Sequence, residues 1–581
     1  MKKVLMTALC LLLFLCLVDH GLLNAQSDYR VGWETSMKKV FIKGDRGGFQ
    51  GSFNFPVEIS LAKNEYESFQ LVVIGNKNLT GVRVVASDLS DNKGNKISAQ
   101  NIKVSPVGYV EIKPEYLKPA QSQDIVGWWP DPILEFMEAV DIKQGDIQPF
   151  WVRVYVPKGA IAGTYNGKLT IRANNSGSKE IDIKVNVWDF NLPDKPSMRT
   201  AMHLNEREEI GGIYNVETGS AMYEQLIRKT YNFLMDYRIG PDVLYGKIGD
   251  IVYVGQLAQT RWLKRINLGY IEARAYSTES EFQEALESFI SWLKNSRIPV
   301  FRKLGLMKYA YIYCFDEHIT HPWAKAAVQR LQQEFPDIPL MTTGDLQDHP
   351  EYLDEYSGID IWVRWQLPSL TSWISTVEEA RRRGKEVWWY ISVGGNKPNW
   401  NLENKLIETR LIAGAINAKY HPDGFLYWKL NNWVKVDPPN DHPIASGPYT
   451  DWKPLSGRSD DRNYFGDGIL FYPGPDGPIP SIRLENFRDG MEDYEYYVLL
   501  GKLANANTTA GADLLSQAEE ALQVNSAVVE DMSHYTTNPQ ILYQEREKVA
   551  KLILRLSEGV QLPPEEDDNP PAPPTGIKVV Q

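Results

Sequence analysis

The stretch Tyr309-Ala310-Tyr311-Ile312-Tyr313-Cys314-Phe315-Asp316-Glu317 decides how this chain is read. It is a short apolar run, rich in aromatic side chains, that ends on two adjacent acids. Runs of this kind are buried strands when helical patterns flank them. Here amphipathic patterns lie at 279–295 before the run and 322–335 after it. The alternation continues in both directions. A helical pattern covers 221–237, and strand-like runs follow at 340–342, 359–365, 386–393, 424–428 and 468–472, with helices at 373–383 and 406–420 between them. Strand–helix alternation over roughly 300 residues predicts a parallel sheet with crossovers, most economically a (β/α)8 TIM-like barrel. An open doubly wound sheet is the alternative, but no G-x-G-x-x-G follows any strand, so no dinucleotide site supports it.

Before this region the grammar differs. Val57-Glu58-Ile59-Ser60-Leu61, Phe69-Gln70-Leu71-Val72-Val73, Trp151–Val156, Lys168–Ile171 and Ile181–Val185 alternate with period two. Short strands at regular spacing predict an N-terminal β-sandwich over 26–193. It closes on Asn191-Leu192-Pro193-Asp194-Lys195-Pro196, a proline-bracketed linker. The barrel then spans 194–500. A helical segment covers 501–560, part of a helical pattern from Ile482 to Leu556 broken at 507–511 and Pro539. The Pro-rich acidic end, 561–581, is expected to be a disordered linker.

At the other terminus, Met1-Lys2-Lys3 and the fifteen apolar residues Val4–Val18 lead to Ala25 before a cut, which is the layout of a secretory signal over 1–25. A membrane span needs about 20 apolar residues, and no run reaches that length. The mature chain is expected to be periplasmic or extracellular, with Cys314 its single cysteine and hence no internal disulfide. Its charge excludes partners. The formal net charge is −12, and losing Lys2, Lys3 and Asp19 makes it −13. Phosphate backbones and anionic lipid surfaces are therefore disfavoured. Aromatics are in surplus, with 17 Trp, 30 Tyr and 19 Phe.

The chemistry is narrowed by what is missing. No G-x-S-x-G elbow, H-E-x-x-H or P-loop occurs. What remains is Asp316-Glu317 at the C-terminal end of the quoted strand, where barrel enzymes collect catalytic side chains. Neighbours on a regular strand point to opposite faces, but where a strand breaks into a loop both can turn to one mouth. Glycosidic bonds need a carboxyl that stays protonated to donate to the leaving oxygen, and a neighbouring carboxylate in a partly dry aromatic surround favours that form. The competing reading is a helix cap at Asp316 followed by a solvated first-turn glutamate. His318 and His321 lie within reach, but Pro322 marks a helix start, where a histidine caps or touches substrate; neither metal nor cofactor is expected.

Aromatic residues fall on the same rim. Trp362 and Trp388 sit mid-strand and read as packing, whereas Trp365, Tyr390, Trp428 and Tyr472 fall at strand ends and read as faces for a sugar ring. Asn431 and Asn432 are candidate polar contacts. Trp129-Pro130-Asp131-Pro132 is a stiff loop that either reaches the mouth or joins the domains.

These residues resemble glycoside hydrolase family 123. The resemblance is carried by Phe315-Asp316-Glu317, by Gly424-Phe425-Leu426-Tyr427-Trp428 running on to Asn431-Asn432-Trp433, and by Gly466–Gly474. Ile482-Arg483-Leu484-Glu485, Arg488–Tyr496 and the Trp129–Pro132 loop complete it. It implies an N-terminal sandwich, a catalytic barrel and β-N-acetylgalactosaminidase activity by substrate-assisted retention. Asp316 would orient the 2-acetamido N–H, and Glu317 would be general acid and then base. Adjacent carboxylates suit this better than direct double displacement, whose carboxyls face each other about 5–5.5 Å apart. Two departures stand out: His318 where the family often has Pro, and Lys429-Leu430 after Trp428. The Arg483/Glu485 and Arg488/Asp489 sets read as braces rather than sugar contacts. A glycan or glycoconjugate is the implied partner. Two readings stay beside this one: a glycosidase of the same architecture acting on another sugar, and a non-catalytic carbohydrate-binding protein.

Overall fold

The computed structural model describes residues 27–562 apart from 43–45, 47, 395–396, 434–448, 451–454, 459–461, 508 and 561. The expected export signal and, except for Leu562, the acidic tail lie outside the described residues.

The first region is built from β1 (Tyr29–Thr35), β2 (Val57–Lys63), β3 (Glu65–Gly75), β4 (Leu79–Ala86), β5 (Leu89–Ser90) and β6 (Lys96–Ile97). It continues with β7 (Ile102–Ile112), β8 (Gly127–Ile133), β9 (Val140–Ile142), β10 (Ile147–Val156), β11 (Gly163–Ala173) and β12 (Ser176–Asn191). One sheet runs β1-β3-β10-β7 with β8 on β7; the other runs β2-β12-β11-β4-β9 with the short β5 and β6 beside β11. Period-two patterning explains the packing. Ile181, Ile183, Val185 and Val187 of β12 turn inward, and they share one core with Leu71, Val73, Phe150, Val152 and Val154 of the other sheet.

The second region is a seven-stranded, all-parallel sheet. Its strands are β13 (Arg199–Met202), β14 (Ile266–Ile271), β15 (Ala310–Cys314), β16 (Leu340–Thr343), β17 (Ile361–Trp365), β18 (Glu386–Tyr390) and β19 (Gly424–Tyr427). They lie in the order β13-β19-β18-β17-β16-β15-β14. Both faces are buried, so the strands read as continuous apolar runs. Ile312, Cys314, Trp362, Val387, Trp389 and Phe425 join the cluster that includes the surrounding helices. Alternate residues Tyr311, Tyr313, Met341, Val363, Trp388 and Leu426 meet Ala201 and Leu244 in a second cluster. Side chains from β13 and β15 can share one cluster only if the sheet is curled around them. Trp362 and Trp388 are packing residues, as their mid-strand positions implied.

Two expectations are corrected here. Among the described residues the parallel ladder has seven strands, where eight were expected. Between β13 and β14 lies the segment Asp242–Leu244, which makes a single parallel bridge, His203 to Asp242. Pro241 precedes it and has no N–H for a ladder. Side chains take over: Asn267 Nδ2 donates to the carbonyls of Val243 and Leu244 (3.1 and 2.7 Å), and Asp242 Oδ1 accepts from the Asn267 N–H at 2.9 Å. The run 468–472 is not a barrel strand either. Phe471–Gly474 folds back on Gly477–Pro480 as an antiparallel hairpin, as the Pro473-Gly474-Pro475-Asp476-Gly477 turn requires.

The helix Ile482–Ala506 is buried on nearly every side although it carries many charges. The β-sheet region supplies their partners. Arg483 forks onto Asp131 of β8 (2.9 and 2.7 Å), and Tyr472 donates to the same carboxylate at 2.5 Å. Glu485 accepts from Arg153 of β10 and from Tyr237, while Arg410 joins Glu67 of β3 to Asp493. The Trp129–Pro132 stretch is thus a domain contact, and the charged sets are braces. Breaks at 507–511 and Pro539 separate the last helices, Ala512–Leu522 and Pro539–Ser557. Among the described residues no helix is long and apolar enough to cross a membrane.

Candidate active site

All seven parallel strands present their C-terminal ends at one edge, and the acid pair stands there. β15 stops at Cys314, and the chain leaves through two left-handed residues, Phe315 (φ 56°) and Glu317 (φ 59°). An L-residue with this backbone costs roughly 1–2 kcal/mol. The surroundings hold it. The Phe315 ring is fully buried beside Phe282, its N–H donates to Ile271 O at 3.1 Å, and its carbonyl accepts from Thr342 Oγ1 at 3.1 Å. The result is that strand alternation fails at Asp316-Glu317, and both acids face one rim.

Each carboxylate is held by one oxygen. Asp316 Oδ1 accepts from the Tyr313 hydroxyl (2.5 Å) and from Thr343 Oγ1 (3.1 Å); its Oδ2 lies 3.8 Å from the Arg274 guanidinium. Glu317 Oε1 accepts from the Tyr390 hydroxyl. The Thr343 hydroxyl serves both acids, because it also accepts the Glu317 backbone N–H. Burial pushes the Tyr245 and Tyr390 hydroxyls well above their ordinary range, and both carboxylates push in the same direction. Asp316 and Glu317 therefore bear on the same two rings. Tyr245, Tyr270 and Tyr313 form an aromatic wall with centroids 5.4–5.9 Å apart.

His318 has a defined place in the site. Its Nδ1 lies 2.6 Å from the Asp316 carbonyl, which only accepts, and its Nε2 lies 3.2 Å from Arg274 Nη1, which only donates. These partners match the tautomer in which Nδ1–H donates and Nε2 accepts. His321 Nδ1 accepts from the Trp323 N–H at 3.4 Å. Among the described residues no group of three or more His, Cys, Asp or Glu could hold a metal.

The other expected contacts divide. Trp365 ends β17 with 45% of its surface exposed, directly opposite Tyr390 in the ladder. Trp428 is half-buried one residue past β19, its indole N–H donating to Asp467 at 3.1 Å. Lys429 is neutralised by Glu209 at 3.1 Å and held by Asn432 at 2.9 Å. Asn431 is corrected: it is fully buried, and its amide is spent on the N–H and carbonyl of Asn205 (both 2.9 Å). Tyr472 is corrected as well, being buried on Asp131 at the domain seam. Sequence reasoning passed over Thr343, Tyr245, Tyr270 and Arg274. For Thr343 a signal existed, since a polar residue directly after the run 340–342 falls on the functional edge of a parallel sheet.

A carboxylate pair at that edge, walled by tyrosines and flanked by an exposed tryptophan, defines the class: a glycoside hydrolase. The model of the glycoside hydrolase 123 catalytic domain matches residues 261–500, and that of the glycoside hydrolase 123 N-terminal domain matches residues 60–173, together more than half of the chain. The chain belongs to glycoside hydrolase family 123. Among solved structures it is similar to a family 123 glycoside hydrolase from Clostridium perfringens, described for glycolipid glycan hydrolysis. Identity is 14%, coverage is 91% of this chain and 98% of that one, and the TM-score is 0.67, which shows a shared fold. A family 39 glycoside hydrolase from Bacteroides cellulosilyticus matches at 12% identity over 71% of this chain and 80% of that one. Its TM-score is 0.33. No curated protein matches the chain.

Proposed function

We propose that this chain is an exported, retaining glycosidase that releases a terminal β-linked N-acetylgalactosamine, or a related 2-acetamido sugar, from a glycoconjugate. The observation that carries the reading is the half-occupied state of each acid. Asp316 has Oδ1 saturated by Tyr313 and Thr343; Oδ2 faces Arg274 at 3.8 Å, beyond hydrogen-bond reach, and can accept a substrate N–H. Glu317 has Oε1 fixed by Tyr390, which leaves Oε2 to carry a proton. In the first step Glu317 protonates the glycosidic oxygen while the 2-acetamido carbonyl oxygen attacks C1 and the C1–O bond breaks. Asp316 accepts a hydrogen bond from the acetamido N–H, whose proton stays on nitrogen, and an N-protonated oxazoline (oxazolinium) forms. In the second step Glu317 takes a proton from water, the water oxygen attacks C1, and the ring opens with retention. Two adjacent acids that share one threonine do not span a sugar from opposite faces, as direct displacement requires. The glycolipid glycan of the Clostridium perfringens enzyme supports a lipid-linked glycan as substrate. Export through residues 1–25, and a division into sandwich (26–193), barrel (194–500) and helical segment (501–560), belong to the same reading.

The test compares 4-nitrophenyl glycosides with and without the 2-acetamido group on the wild type, Asp316→Asn and Glu317→Gln. Turnover confined to the 2-acetamido substrate, lost in both variants and blocked by a thiazoline analogue, is expected. Turnover indifferent to both substitutions would sink the mechanism.

A further inference from the structure

A cavity of about 300 Å³ opens at the seam between the two regions, far along the fold from the acid pair. Its walls come from β3 and β10, through Tyr66 and Tyr155, and from the loops that carry Arg238 and Arg261-Trp262. Arg238 comes just before the Asp242–Leu244 segment, and Trp262 just before β14. The cavity therefore lies towards the N-terminal edge of the parallel strands, whereas Asp316 and Glu317 stand at the C-terminal edge. The two places cannot share a substrate ring.

The wall chemistry selects a ligand class. Tyr66 and Tyr155 are direct cross-strand partners, their rings 4.6 Å apart at 32°. The Tyr155 hydroxyl donates to Asn64 Oδ1 at 2.9 Å; the Tyr66 hydroxyl has no hydrogen-bond partner among the described residues. The cations in the wall are already matched. Arg238 pairs with Glu492 at 3.2 Å, and Arg261 pairs with Asp236 at 2.7 Å. The third acid of the wall, Asp194, is held by Lys158 from outside it, so a phosphate or an ammonium group would gain little from charges already paired, while a neutral polyol still finds carboxylate acceptors, guanidinium donors and aromatic surface. The volume lies at the small end of the roughly 300–1,000 Å³ range of ligand sites, which suits one ring rather than a chain. On one side of the cavity the backbone of Arg238 lies in the left-handed region (φ 62°), which is uncommon for a residue of this kind.

From these observations we infer that the seam cavity is a second, non-catalytic carbohydrate site that takes a single neutral pyranose unit of a glycan. It would hold glycan to the enzyme independently of cleavage.

The experiment is ligand-detected saturation-transfer NMR on the full chain with galactose, glucose, mannose and N-acetylgalactosamine as probes. Four proteins are compared: wild type, Glu317→Gln, Tyr155→Ala and the double variant Asp236→Ala/Arg261→Ala. At least one sugar is expected to bind wild type and Glu317→Gln alike, and to bind both cavity variants roughly tenfold more weakly or worse. Should Tyr155→Ala fail to fold, the surface double variant decides alone, with its thermal melt as the folding check. Sugar signals that all survive the double variant, or a panel in which no sugar binds, overturn the site. The readout is binding and needs no turnover, so it stands or falls separately from the proposed hydrolysis.

Discussion

Replacing Thr343 by valine keeps the shape of the side chain and deletes the one hydroxyl that serves both acids. In the wild type that hydroxyl donates to Asp316 Oδ1 at 3.1 Å and accepts the Glu317 N–H. Glu317 is exposed, so water can replace the second bond at little cost. The first bond goes to a charged acceptor and is worth about 1.5–3 kcal/mol. If all of it serves to align Asp316 with the acetamido group in the transition state, kcat falls roughly 10- to 150-fold. KM should hardly move, because no contact to the rest of the sugar is removed. Thr343→Ser retains the hydroxyl and should recover most of the rate. Tyr313→Phe removes the other donor to the same oxygen, so the Thr343→Val/Tyr313→Phe double variant should lose more or less than the product of the single losses. The assay is steady-state hydrolysis of 4-nitrophenyl N-acetyl-β-galactosaminide, with a melting curve for each variant. A valine variant with wild-type kcat refutes the reasoning, and so does a serine variant as slow as the valine one.

Three further perturbations probe other parts of the fold. Trp365→Ala removes an exposed ring at the rim; it should raise KM for a natural glycan up to about tenfold, the scale of one aromatic contact, and an altered kcat at constant KM would contradict the assignment. Asp131→Ala leaves Arg483 buried and unpaired, so the urea unfolding free energy, followed by tryptophan fluorescence, should drop by about 3–5 kcal/mol; a loss below about 1 kcal/mol would show that the seam does not depend on this pair. Burial raises Asp242 to about 6 from an ordinary value of 3.8, so the folded state holds a proton that the unfolded chain has released. Its contribution to stability is present below pH 4 and is lost as the pH rises to about 6. Asp242→Asn keeps an oxygen for the Val243 and Asn267 N–H groups and should remove up to about 3 kcal/mol of that decline; denaturation series at pH 4 and pH 7 that shift equally in both proteins would exclude it.

How far the fold could be read from sequence depended on whether a strand's residues also had other work. β15 to β19 are buried along most of their length, and the residues they lend to the site (Tyr313, Thr343, Trp365 and Tyr390) lie at or near their C-terminal ends, so their apolar runs were legible. β14 was not, although it is central to the site. Its run Ile266-Asn267-Leu268-Gly269-Tyr270-Ile271 is broken twice, each time for a tertiary reason. Asn267 is there to hold the Asp242–Leu244 segment, and a Cβ on Gly269 would stand 2.8 Å from the Trp292 ring and 2.9 Å from Phe289. β13, Arg199-Thr200-Ala201-Met202, opens on two polar residues, so no apolar run marks it. The same limit explains Asn431 and Tyr472. Chain position placed both near a strand end, but whether a side chain there meets solvent or the neighbouring domain depends on what packs above it. For Tyr472 that is Asp131, more than three hundred residues earlier in the chain.

The acid pair was legible for a more general reason. Two adjacent residues of a regular strand cannot serve one reaction, because the pleat sends them to opposite faces. If Asp316 and Glu317 are to work together, the chain must leave the β region between them or beside them. It does so on both sides, at Phe315 and Glu317, in a conformation costing roughly 2–4 kcal/mol over the two residues. Neither position is glycine, which would have adopted the turn at no steric cost. At Phe315 the ring is needed as a buried anchor, and at Glu317 the carboxyl is the group that the proposed mechanism uses. The strain is therefore tied to the side chains that the chemistry requires, and it is offset by the Ile271, Thr342 and Thr343 hydrogen bonds rather than by relaxing the turn. A strand running into two acids carries functional meaning when its exit is strained in this way. The anchors that hold the strain, on β14 and β16, are then as much part of the site as the acids themselves.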